Sequence, residues 1–303
     1  MSWRVIVVSL IILSVQFTSV LSSVSDSSYT PIKLLRVFSG SKEEVSLKLI
    51  DYFLSGEKEV FIARSDLFAD AACVGYLGKP VVLVDPKRYY ETLLDLKNKG
   101  VVRVIIVGGP EALPEEIESY LSSIGIKYSR IWGKDRYETC NRVREAFNAG
   151  SRKLVLVDGN DEFGAILAGP LANKLGAALA YYRKGEPLDS EEVIWVNSMG
   201  RHSPVKATEF VGENPIDLSV KIGREFEELK LLVITKEDDP VYSASSLASR
   251  FSSPLLLVGD TLPKEIADLI REKYPWRGRV VLAGNFSEEL IRQIKKKMGW
   301  RMI

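Results

Sequence analysis

The stretch RIWGKDRYET, from Arg130 to Thr139, decides the fold of this 303-residue chain. It follows an apolar run that ends in a Gly-Gly pair at Gly109 and a segment with helical periodicity, and it opens a second such segment. The same order of features recurs around Gly40 and Gly212, which lie 93 and 79 residues from Gly133. A supersecondary unit that returns at periods of this size indicates tandem repeats. We therefore predict three repeats.

Each repeat contains three apolar runs separated by segments with helical periodicity, and we predict the same order of elements in all three. The run at residues 101–107 is apolar apart from Arg103 rather than alternating, which is typical of a strand buried on both faces of a parallel sheet. The sequence thus predicts the α/β class with mostly parallel sheets. The repeats are assigned to residues 32–129, 130–209 and 210–303. In the first repeat the predicted strands are one ending at Phe38 and those at 59–63, 80–84 and 102–107, and the helices span 41–54, 67–77, 87–98 and 114–123.

The composition describes a packed protein without a strong overall charge. Hydrophobic residues make up 46% of the chain, and 41 basic residues face 40 acidic ones. No long-range field therefore attracts nucleic acid, and we expect no nucleic-acid partner. Gln16 and Gln293 are the only glutamines among many lysines and glutamates, a bias typical of thermophilic proteins.

The N-terminus has the pattern of a secretory signal. Arg4 is its sole charge before Asp26, and residues 5–13 are almost wholly apolar. We predict a signal peptide at residues 1–22, and hence a secreted or cell-surface protein without a transmembrane domain after cleavage. An uncleaved anchor is the alternative, since residues 5–25 are uncharged, although their many serines weaken it. Secretion would also permit glycosylation of the sequon at Asn285.

The two cysteines are predicted to be buried free thiols. Secretion permits a disulfide, but Cys73 and Cys140 each fall in a predicted helix beside small or apolar residues. The only histidine, His202, lies in a turn-like segment and is expected to be a surface imidazole. No catalytic Cys–His pair is therefore indicated.

The chain resembles the cell wall binding repeat 2 family, most strongly in residues 36–180. The match consists of the Gly108–Gly109 turn, the residues Arg130, Gly133, Asp135, Arg136, Tyr137 and Thr139, and a strand with an acidic turn before a small-residue helix. This resemblance implies a Toprim-like fold for each repeat, a pseudo-threefold arrangement, and noncovalent attachment of a secreted protein to anionic envelope polymers. The polymer-binding candidates are Arg36, Arg130, Gly133, Asp135, Arg136, Tyr137 and Thr139.

The first and third repeats depart from that motif. Residues 42–44 read Lys-Glu-Glu where Asp-Arg-Tyr would stand, Ser46 replaces the threonine, and residues 213–216 read Glu-Asn-Pro-Ile. If equivalent basic sites act together on one polymer, losing two of them removes the gain from multivalency.

Two interpretations of the motif stay open. Arg136 at a helix start can hold a phosphate or carboxylate bidentately, with Tyr137 stacked on a sugar. Alternatively, Asp135 caps the helix, Arg136 pairs with a carboxylate across a repeat interface, and Tyr137 packs between repeats.

The acidic turns after the first strand of each repeat suggest a rival, enzymatic function. Toprim enzymes hold Mg²⁺ with clustered carboxylates for phosphoryl transfer. The spacing here differs between repeats and no histidine accompanies it, so helix capping is the simpler role and we predict no enzyme, cofactor or metal site. The carboxylates concerned are Asp66, Asp70, Asp158, Asp161, Glu162, Asp238 and Asp239.

These observations predict a secreted, non-catalytic module that binds an envelope polymer or glycan. The alternative is a surface-layer or adaptor module that binds another surface protein. A basic groove containing Arg36, Arg130 and Arg136 would favour the polymer, and an exposed apolar patch would favour the protein partner.

Overall fold

The computed structural model describes residues 34–53, 58–148, 150–227, 231–273 and 279–298. The predicted signal peptide lies outside these residues. Within the described ranges, no helix combines the length and apolarity that a bilayer crossing needs.

The described residues contain twelve strands and ten α-helices. The strands are β1 (Leu34–Phe38), β2 (Glu59–Arg64), β3 (Val81–Val84), β4 (Arg103–Val107), β5 (Lys127–Ile131), β6 (Lys153–Asp158), β7 (Ala178–Tyr182), β8 (Glu192–Asn197), β9 (Thr208–Val211), β10 (Leu231–Lys236), β11 (Leu255–Val258) and β12 (Arg279–Ala283). The helices are α1 (Lys42–Leu49), α2 (Ala69–Gly75), α3 (Tyr89–Asn98), α4 (Glu116–Ser123), α5 (Arg136–Asn148), α6 (Glu162–Leu175), α7 (Pro215–Arg224), α8 (Ala244–Arg250), α9 (Lys264–Lys273) and α10 (Glu288–Lys297). A 3-10 turn at Ile50–Tyr52 follows α1.

The strands form three four-stranded sheets, and every pairing within them is parallel. Sheet I has the order β3-β2-β4-β5, sheet II the order β7-β6-β8-β9, and sheet III the order β1-β12-β10-β11. The central strands are buried over their whole apolar run, as in β6 and β10. This confirms the predicted α/β class with parallel sheets.

The sheets are offset by one strand from the repeats of the sequence. β5 precedes the RIWGKDRYET helix but pairs with β4 of sheet I, and β9 likewise pairs with β8 of sheet II. The helices that follow, α5 and α7, pack on β7 of sheet II and β11 of sheet III. Each motif therefore crosses from one sheet to the next, and the predicted boundaries at residues 130 and 210 fall inside strands.

The first strand closes the last sheet. β1 pairs with β12 from Leu34–Arg279 to Phe38–Ala283. The Asn285 side chain then holds the Gly40 backbone from both sides: its Oδ1 accepts from the Gly40 N–H at 3.0 Å, and its Nδ2 donates to the Gly40 carbonyl at 3.1 Å. The sequon nitrogen that would carry a glycan is thus engaged in closing the fold.

The helices α2, α6 and α8, one from each sheet, contact one another at the centre. They approach closely because their contact residues are small. A Cβ on Gly169 would lie 3.3 Å from the Tyr76 backbone nitrogen, and the Ser245 hydroxyl donates to the Ile166 carbonyl at 2.6 Å. Each sheet contributes one helix to this centre, so the three sheets are arranged around it as three copies of one unit.

Sheet II lacks the two outer helices of its counterparts. α3 and α4 follow β3 and β4 of sheet I, and α9 and α10 stand in the same places after β11 and β12. The chain described between β7 and β9 contains no helix, and side chains from its loops pack on the outer face of sheet II. The prediction of one element order for all repeats is therefore wrong for the second, and the missing helices account for its shorter period.

The prediction of two free thiols is also wrong. Cys73 in α2 and Cys140 in α5 form a disulfide with their Cα atoms 5.2 Å apart, and both residues are fully buried. Each cysteine lies in a helix as predicted, but the contact between α2 of sheet I and α5 of sheet II follows from the motif crossing, which the sequence does not reveal.

Reducing this disulfide is expected to destabilise the protein. The bridge links residues 67 apart, and a loop of that length corresponds to about 4 kcal/mol of free energy of unfolding in the chain-entropy estimate. Urea unfolding with and without reductant measures the loss. A Cys73→Ala/Cys140→Ala variant should unfold at the lower midpoint in both conditions, and unchanged wild-type unfolding under reductant would contradict the expectation.

The Asn285 clasp gives a second stability prediction. Asn285→Ala removes both hydrogen bonds to Gly40 and should lower the free energy of unfolding by about 1–2 kcal/mol. Asn285→Asp keeps the acceptor and loses the donor, so its loss should be smaller. Hydrogen exchange at the Gly40 amide reports the opening directly, and wild-type exchange in the alanine variant would refute the clasp.

Candidate functional site

An open cleft lies at the carboxyl ends of the sheet I strands, the edge at which open α/β sheets bind ligands. Its volume is about 630 Å³, and the RIWGKDRYET loop forms one wall. We call it the motif cleft. Its charged lining residues are Arg64, Asp70, Glu111, Lys134, Asp135 and Arg136, and the remaining ones include Leu67, Gly109, Pro110, Trp132, Gly133 and Thr139.

Three of the predicted binding residues shape this loop. The Asp135 carboxylate caps α5 by accepting from the Glu138 N–H at 2.9 Å, and the Thr139 hydroxyl accepts from the Gly133 N–H at 3.0 Å. A Cβ on Gly133 would lie 2.8 Å from the Glu138 carbonyl carbon, so a glycine fits here. Asp135, Thr139 and Gly133 therefore fix the backbone at the cleft.

Tyr137 packs within the second repeat. Its ring lies 4.5 Å from the Arg183 guanidinium carbon and edge-on to Tyr181, with centroids 6.3 Å apart. Arg183 also pairs with Asp135. Burial alone would raise the pKa of Asp135, but hydrogen bonds from the Glu138 N–H and Arg183 outweigh it and lower that pKa. Tyr137 is not among the lining residues of the cleft. Its contacts with Tyr181 and Arg183 lie within the second repeat rather than between repeats.

Arg136 both bridges repeats and lines the cleft. Its Nη1 donates to the Gly159 carbonyl at 2.6 Å, and its guanidinium carbon lies 5.6 Å from the centre of the Phe68 ring. The expected partner across the repeat interface was a carboxylate, and the structure shows the Phe68 ring there instead. The Arg136 guanidinium forms no direct ion pair with a described residue, so no such pair compensates its charge.

Arg130 is committed to the interior. Its side chain is only 8% exposed, and its Nε donates to Glu118 at 2.6 Å. Its Nη1 donates to the carbonyls of Gly108 and Leu113 at 2.8 and 3.0 Å. Arg130 thus ties the Gly108 turn to α4, and this placement argues against direct contact with a polymer.

Arg36 does not occupy the position of Arg130. The Gly284 N–H donates to Phe38 and the Gly108 N–H donates to Ile131, so Val37 is the counterpart of Arg130. Adjacent residues of a strand point to opposite faces, and Arg36 lies over the Tyr52 ring at 5.6 Å on sheet III. The groove of Arg36, Arg130 and Arg136 that would have favoured a polymer is therefore not formed.

Three further residues of the cleft, which were not predicted from the sequence, are functional candidates. Arg64 ends β2 and forms two hydrogen bonds of 2.6 Å with Asp66, whereas Lys134 is exposed and makes no ion pair with described residues. Trp132 is 43% exposed beside Gly109. Trp132 and Lys134 belong to the RIWGKDRYET stretch. An aromatic residue and a cation that directly follow a strand are the pattern that could have identified them.

The acidic turns carry caps and ion pairs. Asp161 accepts from the Gly164 N–H at 2.8 Å, Asp158 pairs with Arg201 at 3.2 Å, and Asp239 pairs with Lys42 at 3.4 Å. Across the described ranges, no group of three His, Cys, Asp or Glu residues has a metal-binding arrangement.

Asp70 differs from these carboxylates because it is largely buried at the cleft without a hydrogen bond to a described residue. Burial raises its pKa to about 6, against the opposing charges of Arg64 and Arg136. The cleft therefore contains a carboxyl group that titrates near neutral pH.

No protein-family model matches the chain. Seventy residues, 23% of the chain, are 40% identical to N-acetylmuramoyl-L-alanine amidase LytC of Bacillus subtilis and cover 14% of that protein. Among solved structures, Cwp8 of Clostridium difficile has a TM-score of 0.76 at 19% identity, covering 96% of this chain and 55% of that one. Cwp6 of the same organism gives 0.74 at 16% identity, with 88% and 48% covered. The chain shares their fold and spans about half the length of each.

Replacing Asp70 tests the buried carboxyl. Because its folded pKa of about 6 lies above the ordinary value, ionisation lowers the stability as the pH rises from about 4 to about 6, and the cost is complete above that range. Asp70→Asn should therefore stabilise the protein at pH 8 by at most about 3 kcal/mol, and the gain should vanish near pH 4.

Thermal unfolding at both pH values measures the effect. Asp66→Asn is the matched control, because the hydrogen bond from Arg64 lowers the pKa of Asp66; that variant should not gain stability at pH 8. An equal effect of Asp70→Asn at pH 4 and pH 8 would contradict the assignment.

Proposed function

We propose that this protein is a non-catalytic cell-surface module that attaches to an anionic envelope polymer through the motif cleft. The fold shared with Cwp8 and Cwp6, together with local similarity to an amidase named for N-acetylmuramoyl-L-alanine, supports a cell-wall-associated role. The observation that carries the proposal is the open cleft, in which Lys134 and Arg136 stand beside an exposed indole.

The cleft can bind an anion through side chains more than through the helix terminus. The Glu138 N–H at the start of α5 is already satisfied by Asp135. Lys134 supplies a mobile charge, and Arg136 supplies the guanidinium donors that Gly159 leaves unused. Planar guanidinium groups suit carboxylate and phosphate oxygens.

The proposed binding is monovalent. At the corresponding places of the other copies, cations are paired internally, as in Lys42 with Asp239 and Arg201 with Asp158. Without three equivalent sites, attachment lacks the avidity of a multivalent module. In this proposal the role of the other repeats is mainly structural, because they support the motif cleft.

Secretion remains part of the proposal. The buried Cys73–Cys140 disulfide supports an oxidising compartment, in agreement with the predicted signal peptide. The pairing of Asp66, Asp158 and Asp239 with cations supports a non-catalytic function, since Mg²⁺ chemistry needs converging free carboxylates.

A second candidate function, binding to another surface protein, has one observation in its favour. Tyr90 and Leu94, one turn apart on α3, are 53% and 45% exposed, and Tyr120 packs edge-on to Tyr90 with centroids 4.8 Å apart. This aromatic patch lies outside the motif cleft. Exposed apolar patches mark interaction surfaces.

Co-sedimentation with protein-stripped envelopes of the source organism, across a salt series, tests the proposal. Wild-type binding should weaken with salt, and Arg136→Ala should reduce it by about tenfold or more, because a cation that meets the polymer is removed. Arg142→Ala is the matched control, since Arg142 is an exposed arginine of α5 that pairs with Glu138 outside the cleft.

Two outcomes would redirect the function. Sedimentation with unstripped envelopes that is lost in a Tyr90→Ala/Leu94→Ala variant but kept in Arg136→Ala would favour the protein partner. Absence of sedimentation at every salt concentration would reject polymer attachment.

A further inference from the structure

We infer that the motif cleft binds an acidic sugar ring of the uronic-acid type, with Trp132 as the surface on which the ring stacks. This inference rests on the proposed function and deepens it by naming the class of ligand. It distinguishes an acidic polysaccharide from a polymer whose charge resides on a phosphate chain without sugar rings.

The first observation is that Trp132 has an unused ring and an unused donor. It is 43% exposed, and among the described residues no ring or cation stacks on it and no acceptor meets its indole N–H. Trp195 provides the comparison within the same chain. That indole is 3% exposed, donates to the Arg201 carbonyl at 2.8 Å and packs edge-on to Tyr182. Trp195 is a satisfied core residue, whereas Trp132 is not.

The second observation is that Trp132 is held in place. It lies between Ile131, the last residue of β5, and Gly133, whose N–H is fixed by Thr139. A Cβ on Gly109 would lie 3.0 Å from the indole carbon Cε3, so the benzene part of the ring rests close to the Gly109 backbone. A positioned aromatic ring binds a flat apolar face with little loss of conformational entropy.

An aromatic face and a sugar ring are complementary in charge. The face of the indole carries the negative part of its quadrupole, and the axial C–H groups of a pyranose carry partial positive charge. The hydroxyl groups at the sugar edge can meet the indole N–H and the polar lining. A linear polyphosphate offers no such face.

The third observation is the modest charge of the lining. Three cations, Arg64, Lys134 and Arg136, are accompanied by three carboxyl groups, Asp70, Glu111 and Asp135. A densely charged phosphate chain would meet as many carboxylates as cations. A sugar with one carboxylate needs only Lys134 or Arg136, so the balance favours one charge per ring.

Titration calorimetry with two probes, oligogalacturonate and inorganic polyphosphate of similar length, tests the inference on the full protein. Wild type should bind oligogalacturonate more tightly than polyphosphate. Trp132→Ala should weaken oligogalacturonate binding by about tenfold, and Trp132→Phe should restore most of it because a ring is retained. Tyr128→Ala is the matched control, since Tyr128 is an exposed aromatic residue of β5, the strand before Trp132, and lies outside the cleft.

The outcomes separate this inference from the proposed function. Equal or tighter binding of polyphosphate, wild-type affinity of Trp132→Ala, or failure of both probes would each overturn the acidic-sugar assignment. The proposed function would survive any of these if Arg136→Ala still abolished envelope sedimentation. It would fail, and the inference with it, if wild type did not sediment with envelopes.

Discussion

The parallel pairing of each edge strand with the sheet of the preceding copy is the constraint on which the rest of the structure depends. Because β5 completes sheet I while α5 packs on sheet II, the loop between them must pass from one sheet to the other. That passage places Trp132 to Arg136 beside Arg64 and Asp70 of another copy. The cleft is thus a product of the crossing.

Each of the three copies has one crossing, and the side chains at the crossings differ. At the β1 crossing, Lys42 lies over the Tyr242 ring at 4.5 Å and pairs with Asp239. At the β5 crossing, Trp132 and Lys134 have no such partners among the described residues. Corresponding junctions therefore carry structural contacts at one place and an open cleft at another.

The sequence predicted what depends on local pattern and missed what depends on register and packing between copies. Strand β2 was predicted at 59–63 and spans Glu59–Arg64, because a buried apolar run is visible in one dimension. In the sequence, Arg36 looks like the counterpart of Arg130 because both are arginines shortly before a corresponding glycine. The hydrogen bonds of the sheets place Arg36 one residue away from that position, and its side chain is therefore on the opposite face of the strand. The disulfide depends on which helices meet, and the outer face of sheet II depends on which loops pack on it. Both are properties of the three-dimensional arrangement.

The three junctions between sheets differ in covalent support. Sheets I and II are joined by the chain at the β5–α5 crossing and by the Cys73–Cys140 bridge, and sheets II and III by the chain at the β9–α7 crossing. Sheets III and I are joined by the chain at the β1–α1 crossing. There, β1 is held to the rest of sheet III by backbone pairing with β12 and by the hydrogen bonds of Asn285 to Gly40. Separation of β1 from β12 therefore requires the loss of noncovalent contacts alone. It would leave the three sheets joined in chain order, with sheet III reduced to β12, β10 and β11.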